Sequence, residues 1–303
     1  MPRIRVVVNA DEHPHAPSER PDWRESYYFN FVDQESGISG FTTIGLLPNP
    51  KKREFVFALF HDDKRELHYV EPEGSVPDDF AESLSDGRLS YELLEPLKEW
   101  RIRLAGENEN VTADLRWKGR FPAYHFGGGS GTSWSGHFEQ SGHVDGVIKL
   151  PGRGSGIVNG LGQRDKSWGH RDWHIESWYA LHAQFDSLSI GLRRDIVNGV
   201  AHLSGGISST SGHVAISKVD LETGFTDADV RMPVSATTRV HGADGSRYTL
   251  RSSLISPASF VRFSRPCPGG TTELFEEMAI HECEELKKRG TGLMEWLFTH
   301  PEK

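Results

Sequence analysis

The sequence has 303 residues, of which 36% are hydrophobic and 10% aromatic, and its formal net charge is −9. This length predicts one large domain or two of about 150 residues, and the acidic balance gives no reason to expect nucleic acid as a partner. The sequence contains no run of about 18 apolar residues, so it predicts no membrane span. The two cysteines, Cys267 and Cys283, make no disulfide framework, so we expect a cytoplasmic protein.

An alternation of apolar and polar residues with a period of two recurs along the chain. In chain order it marks residues 89–93, 100–104, 111–118 and 248–251. Such a pattern puts one face of a strand in a core and the other in water, as in antiparallel sheets. Turn signals rich in Gly, Pro, Asn and Asp separate the runs. Many short strands with frequent turns predict an all-β fold.

Helical signals are confined to two segments. Residues 76–84 predict a short capped helix, in which Phe80 and Leu84 lie four positions apart. Residues 274–289 are good helix formers, but their apolar residues keep no helical stripe. The sequence therefore favours a strand at 274–289 and leaves a helix open.

Two short echoes link the halves of the chain. Residues 25–28, ESYY, are echoed by residues 176–179, ESWY, and residues 43–46, TIGL, by residues 189–192, SIGL. Self-similarity in the same order and at nearly the same spacing predicts an internal duplication. Chance similarity between two strand-rich segments is the alternative.

The densest cluster of charged and aromatic residues lies at the middle of the chain. Residues 160–173, GLGQRDKSWGHRDW, hold two Arg-Asp pairs, one histidine and two tryptophans. The glycine-rich residues 151–154 come just before this motif and mark the expected boundary. We therefore predict an N-terminal domain of residues 1–152 and a C-terminal domain of residues 153–303.

This motif carries a family resemblance. Residues 168–173, WGHRDW, resemble the Trp-Leu-Asp-Arg-Glu-Trp motif of the carotenoid 1,2-hydratase and AttH-like lipocalin-related family, and residues 162–173 are similar to a bacterial branch of that group. Weaker similarity extends over most of the chain, at residues 25–30, 44–45, 48–49, 138–142 and 290–295. The resemblance implies two lipocalin-like antiparallel β-barrels or half-barrels packed together, with few short helices.

The same resemblance implies chemistry without a cofactor. Members of the group hydrate isolated double bonds or fold polyenes, and related proteins catalyse cycloadditions. In this sequence His170 stands where the family motif has an aspartate, whereas Arg171 and Asp172 keep their places. The proton donor is then expected to be His170, Asp172 or Asp165, or the reaction differs.

Five residues of the motif are the catalytic candidates. A carboxyl group buried against tryptophan has a raised pKa and can hold a proton near neutrality, so Asp172 and Asp165 are candidates for proton donor or acceptor. His170 would shuttle or orient a proton, and Arg164 and Arg171 would hold an oxyanion or the carboxylates. The alternative is structural, because buried Arg-Asp pairs can knit two barrels together.

Aromatic residues and one acid are the substrate-binding candidates, with core filling as the alternative for each aromatic ring. They are Trp168, Trp173, Trp178, Tyr28, Glu25 and Tyr179. No metal is expected, because His170 and His174 share a face only on a helix. No nucleotide is expected either, because Gly127–Gly131 lacks the Lys-Ser or Lys-Thr that completes a phosphate loop.

The sequence thus predicts a cofactor-independent lyase, hydratase or isomerase that acts by general acid–base chemistry in a barrel cavity. Its partner would be a small apolar or aromatic substrate, such as a terpenoid, a polyketide or a lignin-type aromatic. A non-catalytic carrier of an apolar ligand and a cyclase that shapes its substrate are the alternatives, since a fold does not decide among them. A homodimer is left open.

Overall fold

The computed structural model describes residues 6–106, 111–128, 133–171, 175–226, 232–267 and 269–301. It confirms the predicted all-β class. The strands are β1 (Trp23–Asp33), β2 (Ile38–Leu47), β3 (Lys52–His61), β4 (Lys64–Val70), β5 (Leu89–Glu95), β6 (Glu99–Leu104), β7 (Thr112–Gly119), β8 (Tyr124–His125), β9 (Gly136–Leu150), β10 (Gly154–His170), β11 (Ser177–Gln184), β12 (Leu188–Val197), β13 (Val200–Ser209), β14 (Gly212–Phe225), β15 (Pro233–Gly242), β16 (Arg247–Leu254), β17 (Phe260–Cys267), β18 (Gly270–Cys283) and β19 (Lys288–Pro301).

Two short helices accompany the strands in the described ranges. A 3₁₀ turn covers Asn9–Glu12. Helix α1 covers Phe80–Ser83, and the side chain of Asp79 caps it by accepting the N–H of Glu82. This helix lies inside the segment where the sequence predicts one, and it is shorter than the prediction. Neither helix is long and apolar enough to cross a membrane.

The first compact unit is a curled, half-barrel sheet. Its strands are antiparallel in the order β4-β3-β2-β1-β10-β9-β7-β6-β5, and β8 pairs with β9. The hydrophobic core covers one face, which on β1 carries Tyr27, Phe29 and Phe31. Alternate residues of a strand point to opposite faces, so Tyr28 and Asn30 lie on the other one. We call these the core face and the opposite face.

The second compact unit is a closed barrel. Its strands run in the order β16-β15-β14-β13-β12-β11-β19-β18-β17, and a further pairing of β16 with β18 closes eight of them into a ring. The core fills the interior with side chains that include Tyr179, Phe275 and Trp296. Residues 274–283 of the segment 274–289 belong to β18 and residues 288–289 begin β19, with a turn between them. The predicted strand is therefore confirmed there. This strand is buried on both faces from Phe275 to His281, so its apolar residues keep neither a helical period nor a clean period of two.

Both units repeat one strand order and differ at one place. In the second unit the start of β14 pairs with β13 and its remainder, from Ile216, pairs with β15. In the first unit two separate strands, β4 and β5, take these two roles, and residues 71–88 with α1 come between them. The described residues show no pairing between β4 and β5, and we call this gap the seam. The repeated order supports an internal duplication.

The two sequence echoes do not both mark equivalent positions. In the first unit Tyr27 pairs with Ile44. In the second unit Ile190, the echo of Ile44, pairs with Ala183, whereas Trp178, the echo of Tyr27, pairs with Asp195. The duplication is therefore supported by strand order and not by the register of these short matches.

The compact units divide the chain later than the glycine-rich signal at residues 151–154 predicts. The first unit contains residues 1–125 and 134–171, and the second contains residues 126–133 and 172–303. The reason is β10, which pairs with β1 on one side and β9 on the other and so belongs to the first sheet. Residues 151–153 form the turn between β9 and β10, and Gly154 begins β10.

Candidate functional site

The central motif lies on β10, where neighbouring residues point to opposite faces of the sheet. Arg164 and Lys166 pair across β1 with Phe29 and Tyr27, which belong to the core face. Asp165 pairs with Tyr28 and lies on the opposite face. Arg164 and Asp165 are therefore neighbours in sequence that do not share a face.

Arg164 is held in a buried ion pair on the core face. Its guanidinium donates to both carboxylate oxygens of Glu12 at 2.8 and 2.7 Å and to Oε1 of Gln140 at 3.1 and 2.9 Å. Glu12 also accepts the N–H of Leu97 at 2.7 Å. Since both charged groups are almost completely buried, this pair fastens the N-terminal 3₁₀ turn to β10. It is a structural contact within one unit and not the Arg-Asp pairing between two barrels that the sequence left open.

Two of the substrate-binding candidates, Glu25 and Trp168, lie on the core face, where Glu25 belongs to a second ion pair and Trp168 to a ring stack. Glu25 pairs with Lys166 and accepts the backbone N–H of His15 at 2.6 Å. The His15 ring stacks on Trp168, with centroids 3.8 Å apart and planes 6° from parallel. Burial lowers the pKa of Lys166 and the Glu25 carboxylate opposes that shift. Glu25 and Trp168 thus contact the N-terminal segment, residues 6–22.

The opposite face of β9 and β10 carries a different cluster. Nε2 of His137 lies 3.7 Å from Oε1 of Glu139 and 3.7 Å from Oδ2 of Asp165. Oε2 of Glu139 accepts hydrogen bonds from the Tyr124 hydroxyl at 3.0 Å and from Nε2 of Gln163 at 2.6 Å. We call these five residues the acid–histidine cluster. It contains Asp165, one of the catalytic candidates predicted from the sequence.

Strand register brings the cluster together. Asp165 is the cross-strand partner of Glu139, and Ser167 is the partner of His137. Tyr124, on the short strand β8, pairs with Glu139 from the other side of β9. Residues two apart on a strand share a face, so His137 and Glu139 lie side by side. Tyr28 is the cross-strand neighbour of Asp165 and adds an aromatic ring at this position.

The two acids of the cluster differ in their exposure to solvent. The side chain of Asp165 is 25% exposed, whereas that of Glu139 is 2% exposed. Burial, and then the charge of Glu139, raise the pKa of Tyr124 well above its ordinary value. Tyr124 therefore stays protonated and donates to Glu139. The exposed acid is the group of this cluster that a molecule from solution can reach.

This arrangement can move a proton. A histidine between two carboxylates can carry a proton from one group to another. The separations of 3.7 Å are those of an ion pair and exceed hydrogen-bond length, and such contacts tighten when a substrate binds. Among the described residues, no group of three or more His, Cys, Asp or Glu side chains is arranged to hold a metal ion.

Three of the five cluster residues come from outside the central motif. His137, Glu139 and Tyr124 were not singled out from the sequence, although residues 138–142 belong to the weaker family similarity. A usable signal is the stretch His137-Phe138-Glu139-Gln140, in which one apolar residue stands among polar ones. The same alternation occurs on any solvated strand, so the sequence does not reveal that these polar residues are buried.

The remaining motif candidates are placed as follows. His170 ends β10, pairs with Trp23 and is half-buried. The guanidinium of Arg171 donates to Oγ of Ser167 at 2.9 Å, on the face that carries Asp165. Asp172 and Trp173 lie outside the described residues, so their roles stay predictions.

Trp178 and Tyr179 belong to the second unit and lie on different sides of β11. The indole N–H of Trp178 donates to Oε1 of Glu295 at 2.5 Å, and the guanidinium carbon of Arg193 lies 3.9 Å from the ring centroid. Tyr179 points into the barrel, where its hydroxyl lies 2.9 Å from Oγ1 of Thr238. The two candidates therefore do not line one surface.

The barrel interior also holds an acid that the sequence did not point to. Glu277 lies between Phe275 and Ala279 on the inward side of β18, and its side chain is fully buried. Among the described residues, its two carboxyl oxygens and the indole N–H of Trp296 make no hydrogen bond of normal geometry, although Trp296 is close enough to oppose part of the pKa shift of Glu277. Burial raises the pKa of Glu277 to about 9, so the group is neutral at pH 7.

Comparison with known families gives one match that spans the chain. Residues 8–299 match the model of a family described as a domain of unknown function, DUF7064. No curated protein matches the sequence.

Solved structures share the fold. Kievitone hydratase from Nectria haematococca is 11% identical, with a TM-score of 0.62, over 99% of this chain and 94% of that one. CghA with Sch210972 is 10% identical, with a TM-score of 0.62, over 91% and 88%. A second CghA structure is 11% identical, with a TM-score of 0.60, over 93% and 90%. At these identities the likeness shows the fold, and it confirms the predicted lipocalin-like architecture.

Proposed function

This chain belongs to the DUF7064 family, and from its acid–histidine cluster we propose that it is a lyase, hydratase or isomerase that applies general acid–base chemistry to a small, largely apolar molecule. The observation that carries the proposal is the position of His137, 3.7 Å from two carboxylates of which only Asp165 is accessible. Kievitone hydratase, named for the addition of water, and CghA, solved with a small molecule, have this fold and support the reaction class.

Each residue of the cluster has a distinct task in this proposal. For addition of water to a carbon–carbon double bond, protonated Asp165 gives its proton to one carbon. The water that attacks the other carbon gives a proton to His137, which returns it to Asp165 across their contact. Glu139 stabilises the histidine cation formed in between, and Tyr124 and Gln163 hold Glu139 in place. Removal of water reverses these transfers.

Substrate contacts follow from the same face. Tyr28 lies directly across the strand pair from Asp165 and supplies an aromatic surface for an apolar substrate. Arg171, fixed on Ser167, is the nearest cation of the motif on this face and would hold an oxyanion. Arg164 takes no part, because its guanidinium belongs to the buried pair with Glu12. The relation to carotenoid 1,2-hydratase and AttH-like proteins stays a prediction within this proposal.

The first test follows the incorporation of water and therefore needs no identified substrate. The protein is incubated in ¹⁸O-labelled water with a panel of unsaturated terpenoids, polyketides and phenolic compounds, and mass spectrometry detects label in the products. We expect Asp165→Asn and His137→Gln to lower the rate of label incorporation by about 10² or more, the usual contribution of a general acid or base. Their melting temperatures should stay close to that of the wild type.

A matched control sits on the same strand pair. Asp145 on β9 pairs with Lys118 at the surface, and Asp145→Asn should keep full activity. Label incorporation by Asp165→Asn at the wild-type rate would remove the cluster from the mechanism. A wild-type protein that retains a compound of the panel unchanged, with no labelled product, would favour the carrier, and unlabelled ring-closed products would favour the cyclase.

A further inference from the structure

The seam of the first unit contains a cavity of about 180 Å³. Its wall includes core residues Phe57, Leu104 and Val111, and its polar side is formed by Glu66, His68 and Arg88. In the second unit the single strand β14 bridges the corresponding position. The cavity thus lies where residues 71–88 keep β4 and β5 apart.

A buried histidine–carboxylate pair lies on the polar side. Nε2 of His68 is 2.7 Å from Oδ2 of Asp86, and both side chains are almost completely buried. Oδ1 of Asp86 accepts the backbone N–H groups of Arg88 and Leu89 at 2.8 and 2.6 Å. Although burial opposes ionisation, the bonds from His68 and from these two N–H groups lower the pKa of Asp86. Asp86 is therefore a carboxylate near pH 7.

The ionised acid fixes which ring nitrogen of His68 carries a proton. A carboxylate only accepts hydrogen bonds, so Nε2 of His68 carries the proton that faces Asp86, and in the neutral form of the ring Nδ1 is an acceptor. No described residue provides a partner for Nδ1 of His68. The Nε–H of Arg88 donates to the carbonyl of Ala105 at 3.0 Å, and its two NH₂ groups likewise have no partner among the described residues. The cavity thus offers acceptors, on Nδ1 of His68 and on the carboxylate of Glu66, and a set of donors on Arg88.

The apolar wall and the size limit what fits. Phe57, Leu104 and Val111 are buried core residues, so they present a narrow apolar edge on which one side of a ring can pack. An apolar protein cavity of about 150 Å³ accommodates benzene, and 180 Å³ leaves room for one more polar atom. A hydroxyl group can donate to an acceptor and accept from a donor at the same time, whereas a hydrocarbon leaves both groups unmatched.

We propose that the seam cavity binds a phenol-sized hydroxylated ring. The ring packs on Phe57, Leu104 and Val111, the hydroxyl donates to Nδ1 of His68, and its oxygen accepts from Arg88. This site is independent of the proposed reaction, because the cavity opens beside core-face residues and the acid–histidine cluster lies on the opposite face. Failure of either proposal leaves the other standing.

Calorimetric titration with phenol tests the proposal, and toluene is the probe that lacks the hydroxyl. We expect phenol to bind with a Kd on the order of 1 mM and toluene to bind about tenfold or more weakly. Val111→Trp, which fills the cavity, and Arg88→Met, which removes the donors, should each raise the Kd for phenol by about tenfold or more.

Two control variants complete the experiment. His300 forms a surface pair with Glu273 at 3.0 Å, and His300→Gln should bind phenol like the wild type. Asp165→Asn should also bind phenol like the wild type. The proposal is overturned if phenol does not bind the wild type, if toluene binds as tightly as phenol, or if Val111→Trp and Arg88→Met, both folded by circular dichroism, keep the wild-type Kd.

Discussion

At the scale of single residues, the strand geometry separates two charges that the sequence places side by side. Arg164 lies on the core face with Glu12, and Asp165 lies on the opposite face beside Glu139. The sequence identified both residues as chemically important, and it left open whether each served structure or catalysis. That choice depends on which face of the sheet is sealed by the N-terminal segment, and a contact so distant in sequence leaves no local pattern.

The buried pair gives a stability prediction. Arg164→Met leaves the Glu12 carboxylate buried without its cation, and the loss of one member of a buried pair costs about 3–5 kcal/mol. Urea unfolding should show that loss. Arg101→Met is the control, because Arg101 pairs with Asp114 at the surface, where ion pairs contribute little. Equal losses in the two variants would contradict the structural role of Arg164.

Glu277 predicts an unusual dependence of stability on pH. In the folded protein its pKa is about 9, whereas its ordinary value is 4.5. The folded state then holds a proton that the unfolded chain releases, so this group makes stability fall as the pH rises from about 4.5 to about 9. At pH 7 the cost is on the order of 3 kcal/mol.

Replacement of this acid by its neutral isostere isolates the effect. Glu277→Gln should gain stability relative to the wild type as the pH rises through that range, with little difference near pH 4. Guanidinium unfolding at pH 4, 6 and 8 measures it. Glu284→Gln, which changes an exposed acid paired with Arg251, should follow the wild-type curve. Parallel curves for Glu277→Gln and the wild type would show that Glu277 is ionised in the folded barrel.

At the scale of elements, the N-terminal segment covers one end of the core face. Glu12 binds Arg164, His15 binds Glu25 and stacks on Trp168, and the Tyr27 hydroxyl donates to the carbonyl of Glu12 at 3.2 Å. Deletion of residues 6–15 should lower the melting temperature and expose Trp168. A red shift of tryptophan emission and faster acrylamide quenching measure that exposure.

The peptide itself provides the control for this deletion. Addition of a synthetic peptide of residues 6–15 should reverse part of the red shift, because it restores the partners of Arg164 and Trp168. The peptide with Glu12→Gln should reverse less of it. Unchanged emission after the deletion would mean that the segment does not shield Trp168.

Secondary structure was predictable wherever one face of a strand is wet. The alternating runs at residues 89–93, 100–104 and 111–118 coincide with β5, β6 and β7, whose burial alternates in the same way. β1 is buried along its whole length, so no alternation marks it. β18 is also buried on both faces, and Glu277 and His281 are polar residues inside the barrel. Residues 274–289 therefore gave competing helical and strand signals.

At the scale of the whole molecule, the family motif and the turn signals were sufficient for an all-β, two-part architecture. They did not place the division of the chain, because the glycines at residues 151–154 resemble a linker and form a hairpin turn. Nor did they predict the seam, which depends on whether one strand or two connect β3 to β6. That difference is a property of pairing across the sheet and not of any one segment.

Truncated chains test where the first unit ends. A fragment of residues 1–171 keeps every strand of the first sheet, whereas a fragment of residues 1–152 lacks β10, which joins β1 to β9. We expect the longer fragment to give a β-type circular dichroism spectrum and a cooperative urea transition, and the shorter one to give neither. Cooperative unfolding of both fragments would show that β10 is dispensable to the first unit.

The pairing of β1 with β10 has a consequence for protein synthesis. Trp23 pairs with His170, so once β1 has left the ribosome it waits for a partner made almost 150 residues later. At about 5–20 residues per second the delay is on the order of 10 s. During that time β1, which carries Tyr27, Phe29 and Phe31, has only β2 beside it. The nascent chain thus exposes an apolar strand edge that a chaperone would be expected to cover until β10 arrives.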